Sequence, residues 1–184
     1  GSELAWVSDL ELVFLFDADI LGATNGDRSI NNNVFFLRLA QRIIHILTSF
    51  TRFGILYETD MRLRPAGNKG AMVSTVSSFE RYHREEAWTW EHQALIRARF
   101  VAGDTIIREK FESVRKTIIE SHGNGRELKQ DVVKMREKMR AHLLGERERP
   151  QLLTSVDLKH EIGAIVDIEF MVQYAVLAWA HEHQ

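Results

Sequence analysis

Residues 8–16 read Ser8-Asp9-Leu10-Glu11-Leu12-Val13-Phe14-Leu15-Phe16. The run from Leu10 to Phe16 is apolar except for Glu11, which is typical of a buried strand that carries a functional acid. Residues two apart on a strand project from the same face, so Asp9 and Glu11 present paired carboxylates while Leu10 points into the core. We therefore predict one core strand over residues 10–16 with a face that can chelate a hard cation.

A second strand is predicted over residues 55–64, where two kinds of side chain alternate. One face carries Ile55, Tyr57, Thr59, Met61 and Leu63, and the other carries Glu58, Asp60, Arg62 and Arg64. Pro65 ends this strand because it lacks a backbone N–H, and residues 67–70 form a tight glycine-containing turn.

The two strands together predict a metal and phosphate site. Asp9, Glu11 and Asp60 supply the oxygen ligands that Mg2+ prefers, and a pair of such ions can orient a triphosphate and activate a hydroxyl. The forked donors of Arg62 and Arg64 suit phosphate oxygens. Acid-x-acid spacing is also typical of a solvated edge or a salt-bridged surface. The repeat of acids and arginines on two strands favours the metal site, because a buried row of like charges without a metal is costly.

The rest of the chain is predicted to be a loop followed by helices. Residues 17–33 are too rich in Asp, Asn and Gly to pack, and helical periodicity follows over residues 34–50. A Ser77–Glu80 capping box opens a helix to residue 86, and further helices are predicted over 88–98, 104–120, 126–144 and 163–184, with a linker at 145–151. We predict an α+β fold with a small mixed sheet over residues 1–100 and a helical region over 101–184.

Composition excludes several functional classes. The 24 basic and 26 acidic residues give a net charge of -2, which offers no electrostatic footprint for nucleic acid. The chain contains no cysteine, so it has no disulfide, thiolate nucleophile or thiolate metal site, which fits a reducing cytoplasm. No apolar run is long enough to span a membrane. The start without methionine and the stop at Gln184 within a helical pattern lead us to expect cuts at both ends.

Three stretches carry a resemblance to a known family. The segment Ser8-Asp9-Leu10-Glu11-Leu12 resembles the signature of the nucleotidyltransferase superfamily. Two longer strings resemble glutamine synthetase adenylyltransferases: Tyr57-Glu58-Thr59-Asp60-Met61-Arg62-Leu63-Arg64-Pro65-Ala66-Gly67-Asn68 and Glu86-Ala87-Trp88-Thr89-Trp90-Glu91-His92-Gln93-Ala94-Leu95-Ile96-Arg97-Ala98-Arg99. The resemblance continues through residues 135–140, 157–159 and 167–170, so it covers nearly the whole chain.

The resemblance implies a polymerase-β-like nucleotidyltransferase palm followed by the start of a helical domain. It implies transfer of AMP from ATP to a tyrosine hydroxyl of glutamine synthetase with release of pyrophosphate, under a PII-type nitrogen-regulatory protein. The implied catalytic and Mg2+-binding residues are Asp9, Glu11 and Asp60, and the implied nucleotide-binding residues are Ser8, Arg62 and Arg64. Glu11 stands where the family usually has aspartate, so either the ion moves or the strand adjusts.

Two other functions remain open. Family proteins contain one unit that adds AMP and a related unit that removes it, and residues 87–93 resemble the adding unit. The alternatives are the adenylyl-removing, phosphorolytic reaction and a non-catalytic fragment that docks glutamine synthetase or its regulator. Asp167 and Glu169 are expected to form salt bridges with basic residues of the preceding helix or to link their helix to the catalytic face.

Overall fold

The computed structural model of the 184-residue chain describes residues 8–123, 125–145 and 157–182. Within these ranges the fold is α+β, as predicted, with small sheets and six α-helices. The strands are β1 (Leu10–Glu11), β2 (Phe14–Phe16), β3 (Phe50–Thr51), β4 (Gly54–Ile55), β5 (Thr59–Asp60) and β6 (Val73–Thr75). The helices are α1 (Asn32–Thr48), α2 (Val76–Glu85), α3 (Thr89–Arg97), α4 (Thr105–Glu120), α5 (Arg126–Gly145) and α6 (Ile165–Trp179).

The strands form three two-stranded sheets. β1 pairs with β5 and β2 pairs with β6, both in parallel, whereas β3 and β4 form an antiparallel hairpin. The prediction of one continuous strand over residues 10–16 is therefore wrong. The chain leaves the ladder at Leu12 and Val13, because its first part bonds to β5 and its second part to β6.

The predicted strand over residues 55–64 is also wrong in its extent. Only Thr59–Asp60 pairs with β1, while Ile55 belongs to β4, and residues 61–70 form turns that include a short 3-10 helix at Gly67–Lys69. Local hydrogen bonds explain the difference: the Arg62 N–H donates to Asp60 Oδ1 at 2.8 Å and the Arg64 N–H donates to the Met61 carbonyl at 3.2 Å. Donors bonded within a turn are not available to a ladder.

Helix positions follow the predicted periodicity closely, with one error at a start. Helix α1 lies within two residues of its predicted bounds, and α3, α4 and α5 agree equally well. The predicted capping box at Ser77 is wrong, because Ser77 lies inside α2 and Thr75 is the N-cap, accepting a hydrogen bond from the Ser78 N–H at 3.1 Å. Helix α6 begins at Ile165 and is followed by a 3-10 turn at Ala180–Glu182. Residues 146–151 of the predicted linker and the last two residues of the predicted final helix lie outside the described residues.

Helices of the described ranges are all too short or too polar to cross a membrane. Contacts divide the chain into two compact units, one of Gly1–Ala87 with Arg99–Val114 and one of Trp88–Ala98 with Arg115–Gln184. The assignment of residues 1–100 to a nucleotidyltransferase domain and of 101–184 to a helical region stays a prediction.

Each unit has its own apolar core. In the first unit Phe16 is 2% exposed and its ring stacks on Phe36 with centroids 4.5 Å apart, joined by Ala40 of α1 and Val73 of β6. This core lies under β2 and β6. The core of the second unit joins α4, α5 and α6 through Ile119, Leu128, Val132, Leu177 and Ala178.

Candidate active site

Two of the predicted acids face each other across paired strands. In the parallel pair of β1 and β5, Leu10 lies opposite Thr59 and Glu11 lies opposite Asp60. The register is fixed by hydrogen bonds from the Leu10 N–H to the Glu58 carbonyl (2.8 Å) and from the Leu12 N–H to the Asp60 carbonyl (2.9 Å). Opposite residues of a parallel pair project from one face, so the carboxylates of Glu11 and Asp60 share that face.

Asp9 directly precedes β1 and lies two residues before Glu11, as the sequence predicted. Asp9 and Glu11 are exposed, whereas the Asp60 side chain is only 14% exposed. The structure thus brings the three predicted acids to neighbouring positions on adjacent strands. Their catalytic and metal-binding roles stay predictions.

Arg62 pairs with one of these acids, Asp60. Its Nε donates to Asp60 Oδ2 at 2.7 Å, its Nη2 forms an ion pair with the same oxygen at 2.5 Å, and its backbone N–H donates to Oδ1. The side-chain hydrogen bond from Arg62 lowers the pKa of Asp60 and outweighs the opposing effect of burial. The same hydrogen bond raises the pKa of Arg62, and the charges of Asp60, Glu11 and Asp9 raise it further. Three carboxylates therefore act on one cation.

This pairing was missed by sequence reasoning, which assigned Arg62 to phosphate. The opposite charges of Asp60 and Arg62 two residues apart were a signal for this ion pair, although it is the turn after Asp60 that brings the guanidinium to the carboxylate. The exposure of the Arg62 side chain is 73%, so it lies on the solvent side of the acids.

Arg64 donates hydrogen bonds to backbone carbonyls of the turn rather than to the acids. Its Nη1 donates to the Met61 carbonyl at 2.8 Å and its Nε to the Gly70 carbonyl at 3.3 Å. The guanidinium thereby joins the two ends of the 61–70 turn. Ser8 is half-buried and lies immediately before Asp9. The predicted nucleotide-binding roles of Ser8, Arg62 and Arg64 stay predictions.

The 61–70 turn depends on backbone positions that few residues tolerate. Ala66 and Gly67 have φ of 59° and 55°, in the left-handed region that disfavours side chains. A Cβ at Gly70 would lie 1.8 Å from the carbonyl oxygen of Pro65. Glycine at position 70 is therefore required by close packing of the backbone, and the turn is a constrained continuation of β5.

The donor chemistry of the three acids fits Mg2+, which takes carboxylate oxygens and retains water and phosphate ligands. Across residues 8–123, 125–145 and 157–182, however, no three Asp, Glu or His side chains are gathered closely enough to hold an ion as they stand. Binding of one ion by Asp9, Glu11 and Asp60 together stays a prediction, and it would require these side chains to draw together.

A second polar cluster lies within the other unit. Asp167 Oδ1 accepts from Arg136 Nε at 2.5 Å and from Arg140 Nη2 at 3.4 Å, which confirms the predicted salt bridge to the preceding helix. Asp167 Oδ2 accepts from the Gly163 N–H at 2.7 Å; this bond is the main cause of a lowered Asp167 pKa, and Arg136 adds to it. Glu169 pairs with α3 instead, through Arg97 at 3.4 Å.

Comparison with known proteins gives the family. The family model for glutamate-ammonia ligase adenylyltransferase matches residues 1–114, which include all the candidate acids. The bifunctional glutamine synthetase adenylyltransferase/adenylyl-removing enzyme of Hahella chejuensis (strain KCTC 2396) is 54% identical over 183 residues, covering 100% of this chain and 19% of that protein. The chain thus spans about a fifth of the length of this relative. It belongs to the glutamate-ammonia ligase adenylyltransferase family.

Proposed function

We propose that this chain is the adenylyl-transferring segment of a nucleotidyltransferase that modifies glutamine synthetase in the control of nitrogen assimilation. The observation that carries the proposal is the parallel register of Glu11 and Asp60, with Asp9 two residues before Glu11, inside the part that the family model matches. In this proposal the β1–β5 pair belongs to a polymerase-β-like palm.

The reaction joins a tyrosine oxygen of glutamine synthetase to the α-phosphorus of ATP and breaks the bond from that phosphorus to pyrophosphate. Asp9, Glu11 and Asp60 would hold Mg2+, which when bound neutralises phosphate charge and lowers the pKa of the hydroxyl. Asp60 would bind the catalytic ion and help to remove the proton of the tyrosine hydroxyl, which passes on to solvent.

The choice of the adding over the removing unit rests on residues 87–93. These residues resemble the adding unit, and the last three of them, Glu91, His92 and Gln93, are buried in α3. A PII-type regulator as partner follows from the same family resemblance.

Two assays on the full-length protein containing this segment distinguish the functions. Transfer is measured as AMP incorporated into glutamine synthetase from ATP and Mg2+, and removal as phosphate-dependent release of ADP from the modified enzyme. We expect Asp60→Asn to abolish transfer and leave removal intact. Loss of removal with normal transfer would assign the segment to the opposite reaction, and retention of both would leave it a docking fragment.

A further inference from the structure

In this structure the cation bound to Asp60 is a side chain of the same chain, the guanidinium of Arg62. Both oxygens of the Asp60 carboxylate accept hydrogen bonds from Arg62, Oδ1 from the backbone N–H and Oδ2 from the guanidinium. A cation that takes Oδ2 as a ligand competes with that guanidinium, because two positive charges at one carboxylate oxygen repel each other.

Arg62 can leave Asp60 without unfolding its surroundings. Its side chain is 73% exposed, so it exchanges one solvent-facing position for another. Arg64 has no such freedom, because it is half-buried and bonded to two carbonyls of the 61–70 turn. Arg62 can therefore exchange its partner, whereas Arg64 is held by its hydrogen bonds to the backbone of the turn.

We propose that Arg62 is an internal competitor for the cation site, covering Asp60 until the metal–nucleotide complex arrives and then releasing it. The released guanidinium, tethered two residues from the acids, then binds phosphate at a high effective concentration. This inference rests on the proposed function. It predicts that Arg62 weakens the binding of the free cation and strengthens the binding of the nucleotide.

The test measures Mn2+ binding and nucleotide binding separately in this chain. Calorimetric titration with Mn2+ alone should give Arg62→Gln about two- to fivefold tighter binding than the unsubstituted chain, in line with the modest strength of exposed ion pairs. Titration with a nonhydrolysable ATP analogue and Mg2+ should give weaker binding in the same variant. A merely structural role would weaken both.

Two variants serve as controls. Arg84→Gln breaks an exposed arginine–carboxylate pair of the same kind, with Glu80 at 2.7 Å, and should leave Mn2+ affinity unchanged. Asp60→Asn should lose the Mn2+ site. Circular dichroism checks that each variant is folded, and Arg62→Lys, which keeps the charge but not the fork, should fall between Arg62→Gln and the unsubstituted chain.

The outcomes separate the two proposals. If Arg62→Gln binds Mn2+ with unchanged or weaker affinity while Asp60→Asn loses it, Arg62 is no competitor, and the proposed adenylyl transfer stands. If neither the unsubstituted chain nor Arg62→Gln binds Mn2+ at a site that depends on Asp60, both the competitor and the proposed metal site are refuted.

Discussion

Replacing Asp167 by asparagine leaves the buried arginine Arg136 without a full counter-charge. The Arg136 side chain is 8% exposed and bonds to Asp167 Oδ1, while Asp167 Oδ2 accepts from Gly163. Asparagine has one carbonyl oxygen, so its NH2 group must face either the guanidinium or the Gly163 N–H. Removing one partner of a buried pair costs about 3–5 kcal/mol, and the remaining Arg136 bond to the His160 carbonyl puts our expectation at about 3 kcal/mol.

Urea unfolding followed by tryptophan fluorescence measures this cost. Trp88, Trp90 and Trp179 all lie in the same unit as Asp167. At an m-value typical of a small domain, the midpoint should fall by about 1–2 M. The matched control is Glu169→Gln on the same helix, whose 3.4 Å pair with Arg97 has side chains 56% and 41% exposed and should contribute about 0–1 kcal/mol. Equal midpoints for the two variants would refute the reasoning.

The same pair predicts a pH dependence. The folded-state pKa of Asp167 is lowered, chiefly by the Gly163 N–H and then by Arg136, from an ordinary value of 3.8. Its contribution to stability is therefore fully present above pH 3.8 and is lost as the pH falls through the lowered folded pKa. The difference in midpoint between the unsubstituted chain and Asp167→Asn should be constant near neutral pH and shrink in acid. A difference that grows on acidification would contradict this assignment.

Two further substitutions test local structure in the first unit. Gly70→Ala should destabilise the chain by about 1–3 kcal/mol, because its Cβ would overlap the Pro65 carbonyl. Gly26→Ala is the control: its Cβ would meet no atom within 4 Å, so it should leave the stability unchanged. Similar urea midpoints for the two variants would contradict this reasoning. Thr75→Ala should lower the free energy of unfolding by about 1 kcal/mol, because it removes the N-cap of α2, and Ser77→Ala should lower it by less. A larger loss of stability for Ser77→Ala would instead support the capping box predicted at Ser77.

Helices could be predicted from the sequence because their apolar period is local. The bounds of α1, α3, α4 and α5 all follow from spacing within one segment. The limits of the strands could not be predicted from the sequence, because the hydrogen bonds of a β-ladder depend on a partner strand that is distant in sequence. Residues 10–16 look like one strand, yet their two halves bond to β5 and β6, whose positions the periodicity of this segment does not encode.

The acid pair was predictable to the extent that it depends on alternation. Spacing placed Asp9 and Glu11 on one face and Asp60 on a second strand, and the register brings Glu11 opposite Asp60. Alternation alone could not show that the side chain of Arg62 binds Asp60. Treating residues 60–64 as extended made Arg62 one of two equivalent phosphate ligands, whereas the turn after Asp60 pairs it with that carboxylate and directs Arg64 to backbone carbonyls.

The Asp60 carboxylate has two tasks, and this determines which substitution can test its chemistry. Oδ1 accepts the Arg62 N–H that would otherwise extend β5, so the same side chain that faces Glu11 also begins the 61–70 turn. Asparagine keeps an oxygen for that N–H and removes the charge, whereas alanine removes both. We therefore expect Asp60→Asn to keep a urea midpoint close to that of the unsubstituted chain while losing Mn2+ binding, and Asp60→Ala to lose both. If the asparagine variant unfolds as readily as the alanine variant, the charge of Asp60 is needed for the fold, and the loss of AMP transfer in that variant cannot be assigned to catalysis.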